Sequence, residues 1–84
     1  MYWDIVEVKL ESHLVLSVRF SDGTCGKVRF LPTRLRGVFT PLKNPDFFKK
    51  VFIADGVVTW PGEIDLAPDA MYDEIKKHGE WILS

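Results

Sequence analysis

Cysteine is nearly missing from this chain. Cys25 stands alone among 84 residues, which excludes an intrachain disulfide and favours a reducing compartment. No apolar run approaches the roughly 20 residues needed to cross a bilayer. Met1-Tyr2-Trp3-Asp4 has neither the basic start nor the apolar core of a secretory leader. The expectation is a cytoplasmic protein without a membrane partner. A glycine-rich phosphate loop, the loop spacing of a calcium hand and any other metal-ligand spacing are absent as well. There is no low-complexity segment, and the only internal likeness is a crude one between two hairpins.

What is present is ordinary for a globular chain, with 46% hydrophobic and 27% charged residues. Eighty-four residues make one domain, 1–84, with a single core and a thin stability margin. The net charge of −1 hides a segmentation. Residues 1–23 set Lys9 and Arg19 against four acids, and residues 51–84 set Lys76 and Lys77 against seven. Between them, Lys27, Arg29, Arg34, Arg36, Lys43, Lys49 and Lys50 face only Asp46, a balance of +6.

Alternation defines the first half. Val6, Val8 and Leu10 alternate with Glu7 and Lys9, and after Glu11-Ser12-His13 the sequence Leu14, Leu16, Val18, Phe20 resumes the pattern, so two amphipathic strands form a hairpin. Ser21-Asp22-Gly23 supplies a tight turn into a third strand, Thr24 to Phe30, with Val28 and Phe30 inward and Lys27 and Arg29 outward. Leu31 to Gly37 reads as a loop or short helical turn crossing the sheet edge. Asn44-Pro45-Asp46 combines a capping side chain, a first-turn proline and an acid, and so predicts one or two helical turns.

The second half turns on one junction. Val51–Ala54 and Val57–Trp60 flank Asp55-Gly56, the signature of a type I′ hairpin. Trp60-Pro61-Gly62 then ends the strand, and Ala67-Pro68 starts a helix. Ala67, Ala70, Met71, Ile75 and His78 make its inward face, Asp69, Asp73, Lys76 and Lys77 face water, and Gly79 caps it. The apolar end, Glu80-Trp81-Ile82-Leu83-Ser84, either packs Trp81 on the core, adds an edge strand, or offers a hydrophobic hook.

The run of Asp55-Gly56, Trp60-Pro61, Asp65-Leu66-Ala67-Pro68-Asp69 and Met71-Tyr72 resembles the bacterial domain-of-unknown-function family 2442. The likeness extends to Phe20-Ser21-Asp22-Gly23 and Phe39-Thr40-Pro41-Leu42 and so covers nearly the whole chain. Pro61-Gly62-Glu63-Ile64 departs from it, since family members more often place an Asn-Gly-type turn before the Asp. The resemblance implies a small α+β domain of two hairpins and a C-terminal helix. It implies that some relatives stand alone, some precede a helix-turn-helix domain, and many are encoded beside another small uncharacterised protein. It brings no catalytic residues.

Candidate chemistry is sparse. Cys25 becomes a nucleophile only with His13 or His78 close by, and without one it is a small strand residue. Glu63, Asp65 and Asp69 are a potential hard-oxygen site, but acids at a helix start are explained by the helix dipole, with Asp65 as the cap. The expected fold is therefore α+β, a mostly antiparallel sheet of hairpins and meander with one C-terminal helix. Its expected core is Val6, Val8, Leu16, Val18, Phe20, Val28, Phe30, Ile53, Trp60, Leu66, Met71 and Ile75. The expected function is non-enzymatic and without cofactor or metal: an antitoxin-like or adaptor module, monomeric or weakly dimeric, that binds another small protein. Lys27, Arg29, Arg34, Arg36 and Trp81 are the expected contacts, with Thr24–Phe30 as an open edge that favours an acidic partner. The alternative is an accessory domain of a DNA-binding regulator that contacts nucleic acid through residues 27–50, and a small enzyme or metal binder ranks below both.

Overall fold

Alternating apolar residues build the first layer. In the computed structural model, which describes residues 2–83, β1 (Ile5–Ser12), β2 (Val15–Phe20) and β3 (Cys25–Phe30) form the expected antiparallel meander. The turn into β3 closes through Gly23 N–H to the Phe20 carbonyl and Phe20 N–H to the Thr24 carbonyl, with Gly23 at φ 89°. Asp22 steadies it by accepting from the Thr24 N–H at 2.9 Å. Leu16, Val18, Phe20, Val28 and Phe30 point inward and are buried.

β1 is less regular than its alternation suggests. The register shifts between Ile5 and Glu7 and again between Leu10 and Ser12. The first bulge brings Ile5 into the core and leaves Val6 48% exposed, so Val6 is a correction to the expected core. Val8 and Ile53 are half-buried at the core's margin. Leu14 belongs to the turn and not to β2, held at φ 68°.

The second layer is a separate sheet ordered β4 (Phe52–Ala54), β5 (Val57–Trp60), β6 (Ile64–Asp65). Asp55 and Gly56 have φ of 52° and 75°, as a type I′ turn requires. The Gly56 carbonyl accepts from the Ile5 N–H at 3.0 Å, which ties this turn to the start of β1. Sequence reading missed β6: beyond Pro61, left-handed Gly62 and Glu63 fold the chain back, so Ile64 and Asp65 pair with Trp60 and Thr59 before the helix begins. Between the sheets run two 3-10 segments, Pro32–Arg34 and Gly37–Lys43, and α1 (Pro45–Phe48), capped by Asn44 accepting from the Asp46 N–H at 2.9 Å. Phe30, Phe48 and Trp60 form an aromatic cluster that joins the layers, and the Trp60 indole N–H donates to the Phe48 carbonyl at 2.9 Å.

α2 (Pro68–His78) lies over β3 and ends at Gly79, φ 78°. Met71 and Ile75 are buried and Tyr72 half-buried, whereas Ala67, Ala70 and His78 are exposed, so the inward face is narrower than predicted. Asp65 does not cap the helix; Ala67 holds that position without a side-chain hydrogen bond. Glycine at position 26 lets the helix in: a Cβ there would meet Ile75 Cγ2 at 2.5 Å and the Gly79 carbonyl oxygen at 2.9 Å.

After Gly79 comes β7 (Glu80–Leu83), which joins the first sheet beside β3 in parallel, giving the order β1-β2-β3-β7. Of the three outcomes expected for this segment the edge strand is formed, and Trp81 also packs half-buried against the core. The architecture is thus α+β with one parallel pairing in an otherwise antiparallel first sheet.

Two outcomes follow from these contacts. Gly26→Ala should lower stability by about 1–3 kcal/mol in denaturant titration, since the added methyl meets backbone as well as a side chain. Tyr72 O–H donates to the Asp22 carboxylate; this bond, together with the one from the Thr24 N–H, holds the Asp22 carboxyl below its ordinary pKa, and the same Tyr72–Asp22 bond holds the Tyr72 phenol above its own. The Asp22 contribution is complete above the unfolded carboxyl's range and fades as pH falls through the lowered folded value. The Tyr72 contribution is complete below the unfolded phenol's range and fades as pH rises through the raised one. Tyr72→Phe should therefore melt below wild type at neutral pH, and the gap in Tm should close well below about pH 4 and well above about pH 10.

Candidate functional site

Outward residues of the first sheet place most of the sequence candidates. Lys27 and Arg29 are exposed on the face of β3 opposite the core, as alternation predicts. They do not line an open edge, because β7 pairs along β3 from Lys27 to Phe30. That corrects the expectation for Thr24–Phe30: the free edge belongs to β7. Arg29 Nε donates to Glu80 Oε1 at 2.7 Å, so its charge is answered from within the chain. Arg36 is exposed ahead of the second 3-10 segment, and the side chain of Arg34 lies outside the described residues.

The basic segment is divided by the sheet. Phe30 on the inner face packs on Phe48 of α1, so Lys49 and Lys50, just beyond α1, belong to the layer away from which Lys27 and Arg29 point. Phe48 is fully buried and Phe39 and Phe47 are half-buried, and Lys50 lies over the Phe47 ring at 5.9 Å. Stacking of unpaired bases needs exposed rings beside the charge.

The two histidines part company. His13, in the β1–β2 turn, donates through Nε2 to the Lys43 carbonyl at 3.1 Å and stands edge-on to Phe48. Cys25 is opposite Arg19 at the far end of β2, on the order of 13 Å along the strand from Val15, which removes His13 as its base. His78 does share a cleft of about 370 Å³ with Cys25, Ser17, Lys27 and Glu80. Within it the thiol donates to the Gly23 carbonyl at 3.4 Å, and His78 Nε2 faces a Glu74 carboxylate oxygen at 3.5 Å.

The candidate acids also separate. Asp65 accepts from the Thr59 hydroxyl across the β5–β6 pair, Glu63 sits in the left-handed turn, and Asp69 lies in the first turn of α2. Among the described residues, no group of three or more His, Cys, Asp or Glu side chains is arranged to hold a metal, and no helix is long and apolar enough to cross a membrane.

Another surface feature lies beside the last described strand. A groove of about 340 Å³ runs between α2 and β7, lined by Glu74, His78, Glu80, Trp81 and Ile82. Trp81 pairs with inward-facing Val28, so its indole forms the core side of this groove, while Ile82, abreast of Arg29, is 49% exposed. Of these residues the sequence marks Trp81 as a contact, Glu80 and Ile82 as part of the apolar end segment and His78 only as a helix-face residue and candidate base; Glu74 carries no such mark, and their meeting depends on a helix and a strand joined across the Gly79 cap.

With Glu80 placed by this geometry, Arg29→Glu should loosen β7, because two carboxylates would then meet across the β3–β7 pair. Amide exchange at Trp81 should quicken, and the double variant Arg29→Glu, Glu80→Arg should recover most of the protection.

No curated protein matches the chain, and no solved structure does. A family model described as "Protein of unknown function (DUF2442)" matches residues 5–77, from the first strand nearly to the end of α2. The match takes in both hairpins and the Trp60–Tyr72 stretch that carries the sequence resemblance, and the chain belongs to that family.

Proposed function

We propose that the protein is a non-enzymatic interaction module, the antitoxin-like or adaptor partner of a small protein encoded beside it. The observation that carries this reading is the outer edge of β7, unpaired among the described residues, beside the groove of Glu74, His78, Trp81 and Ile82. An edge strand with an uncovered apolar side chain is a site for association. Contact with nucleic acid through residues 27–50 draws less support, since the cations fall on two sides and the nearby rings are wholly or partly buried. Chemistry at Cys25 draws less as well, since thiol and imidazole each have another partner.

Co-expression with the product of the adjacent reading frame, followed by affinity capture and size-exclusion chromatography, tests the proposal. A complex of defined stoichiometry is expected. Separate elution of the two proteins at tens of micromolar would refute it.

A further inference from the structure

The four edges of the two sheets differ in how they meet solvent. β1 carries two bulges and the charges of Glu7, Lys9 and Glu11, the devices that discourage another strand from pairing. In the second sheet the edge strands β4 and β6 have three and two residues, too short to template a ladder. β7 has no bulge in its pairing, no proline and no lysine or arginine in Glu80-Trp81-Ile82-Leu83.

Its backbone parity is fixed by one hydrogen bond. The Leu83 carbonyl accepts from the Leu31 N–H at 2.8 Å, just beyond β3. In a parallel ladder the N–H and C=O of one residue point the same way and those of the next point oppositely. Trp81 and Leu83 therefore turn their backbone groups to β3, and Glu80 and Ile82 turn theirs outward.

We propose, resting on the interaction reading above, that β7 accepts an extended strand from a partner protein. That strand carries an arginine or lysine pointing into the groove and an apolar residue beside Ile82. Backbone groups of Glu80 and Ile82 supply the ladder. Trp81 offers a ring for the alkyl stem and cationic head, and the Glu74 carboxylate, on the α2 side of the groove, supplies the opposing charge. A second copy of the chain fits this edge poorly. β7 has no cation of its own, so an antiparallel β7–β7 pair centred on Trp81 would set Glu80 of each copy opposite Ile82 of the other and bring no cation to the groove.

The test uses the full chain and a blocked octapeptide alternating arginine and valine, with binding read by fluorescence anisotropy and amide hydrogen exchange. The peptide should bind, slow exchange at the Glu80 and Ile82 amides, and lose at least tenfold in affinity when glutamate replaces arginine or when its edge-facing amides are N-methylated. Ile82→Pro removes an outward N–H without touching the β3 ladder, so it should keep the wild-type Tm and lose the peptide. Should that variant fold poorly, the N-methylated peptide decides alone. Equal binding of the arginine and glutamate peptides, undiminished binding of the N-methylated one, or protection mapping away from β7 would overturn the proposal. Protection of Glu80 and Ile82 that rises with protein concentration alone would overturn it in favour of a second copy. If the adjacent gene's product binds wild type and Ile82→Pro alike, strand addition falls and the interaction reading stands. If that product fails to bind while the peptide behaves as expected, the partner named in that reading falls and strand addition stands.

Discussion

The indole of Trp60 is the point on which both layers rest. Its ring is buried against Phe30 of the first sheet and Phe48 of α1, and its N–H is satisfied by the Phe48 carbonyl. A tryptophan is seldom buried so completely unless its donor finds a partner, because an unmet N–H in an apolar setting costs about 1–3 kcal/mol. Here the acceptor belongs to a helix of one turn, and the same Phe48 carbonyl also accepts from the Val51 N–H at 3.3 Å, so one oxygen ties together the indole and the chain leaving the helix. The two sheets share no strand, so this aromatic contact and the Ile5–Gly56 hydrogen bond carry much of their relative placement.

Charge, segmented along the sequence, is rearranged by the fold. The basic middle contributes Lys27 and Arg29 to β3, and the acidic last third contributes Glu80 to the strand beside it, so opposite blocks meet where the sheet gains its parallel partner. An exposed pair such as Arg29–Glu80 adds little to stability, on the order of 0.2–1 kcal/mol. Its larger effect is on register, since sliding β7 by one residue would turn Glu80 from the outer face to the inner one.

Local chemistry was legible in the sequence wherever neighbours in the chain decide the structure. Asp55-Gly56 demands its turn, Asn44-Pro45-Asp46 caps itself, and Pro68 and Gly79 bracket a helix whose acids and lysines follow its dipole. The bulge at Val6 leaves no such trace, because one extra residue moves Ile5 inward without changing the composition of the strand. β6 was hidden for another reason: two residues show no periodicity. Half of the candidate site was visible as the outward alternation of Lys27 and Arg29. The other half was not, because parallel pairing joins residues far apart in sequence, and nothing in Glu80-Trp81-Ile82-Leu83 says which strand it will meet.

That distance has a kinetic side. Arg29 and Glu80 are 51 residues apart, so the β3–β7 pairing closes the longest loop in the first sheet and carries the largest loop-closure cost of its pairings. With four residues hydrogen-bonded on one side only, β7 relies on the burial of Leu83 and Trp81 and on its contact with α2 to stay in place. Were it to open, the β3 edge would be bared with Lys27 beside it and Arg29 released from Glu80, whereas closed it presents a groove lined by Glu74 and Glu80. One short strand thereby sets the sign of the charge that the edge of the sheet shows to its surroundings.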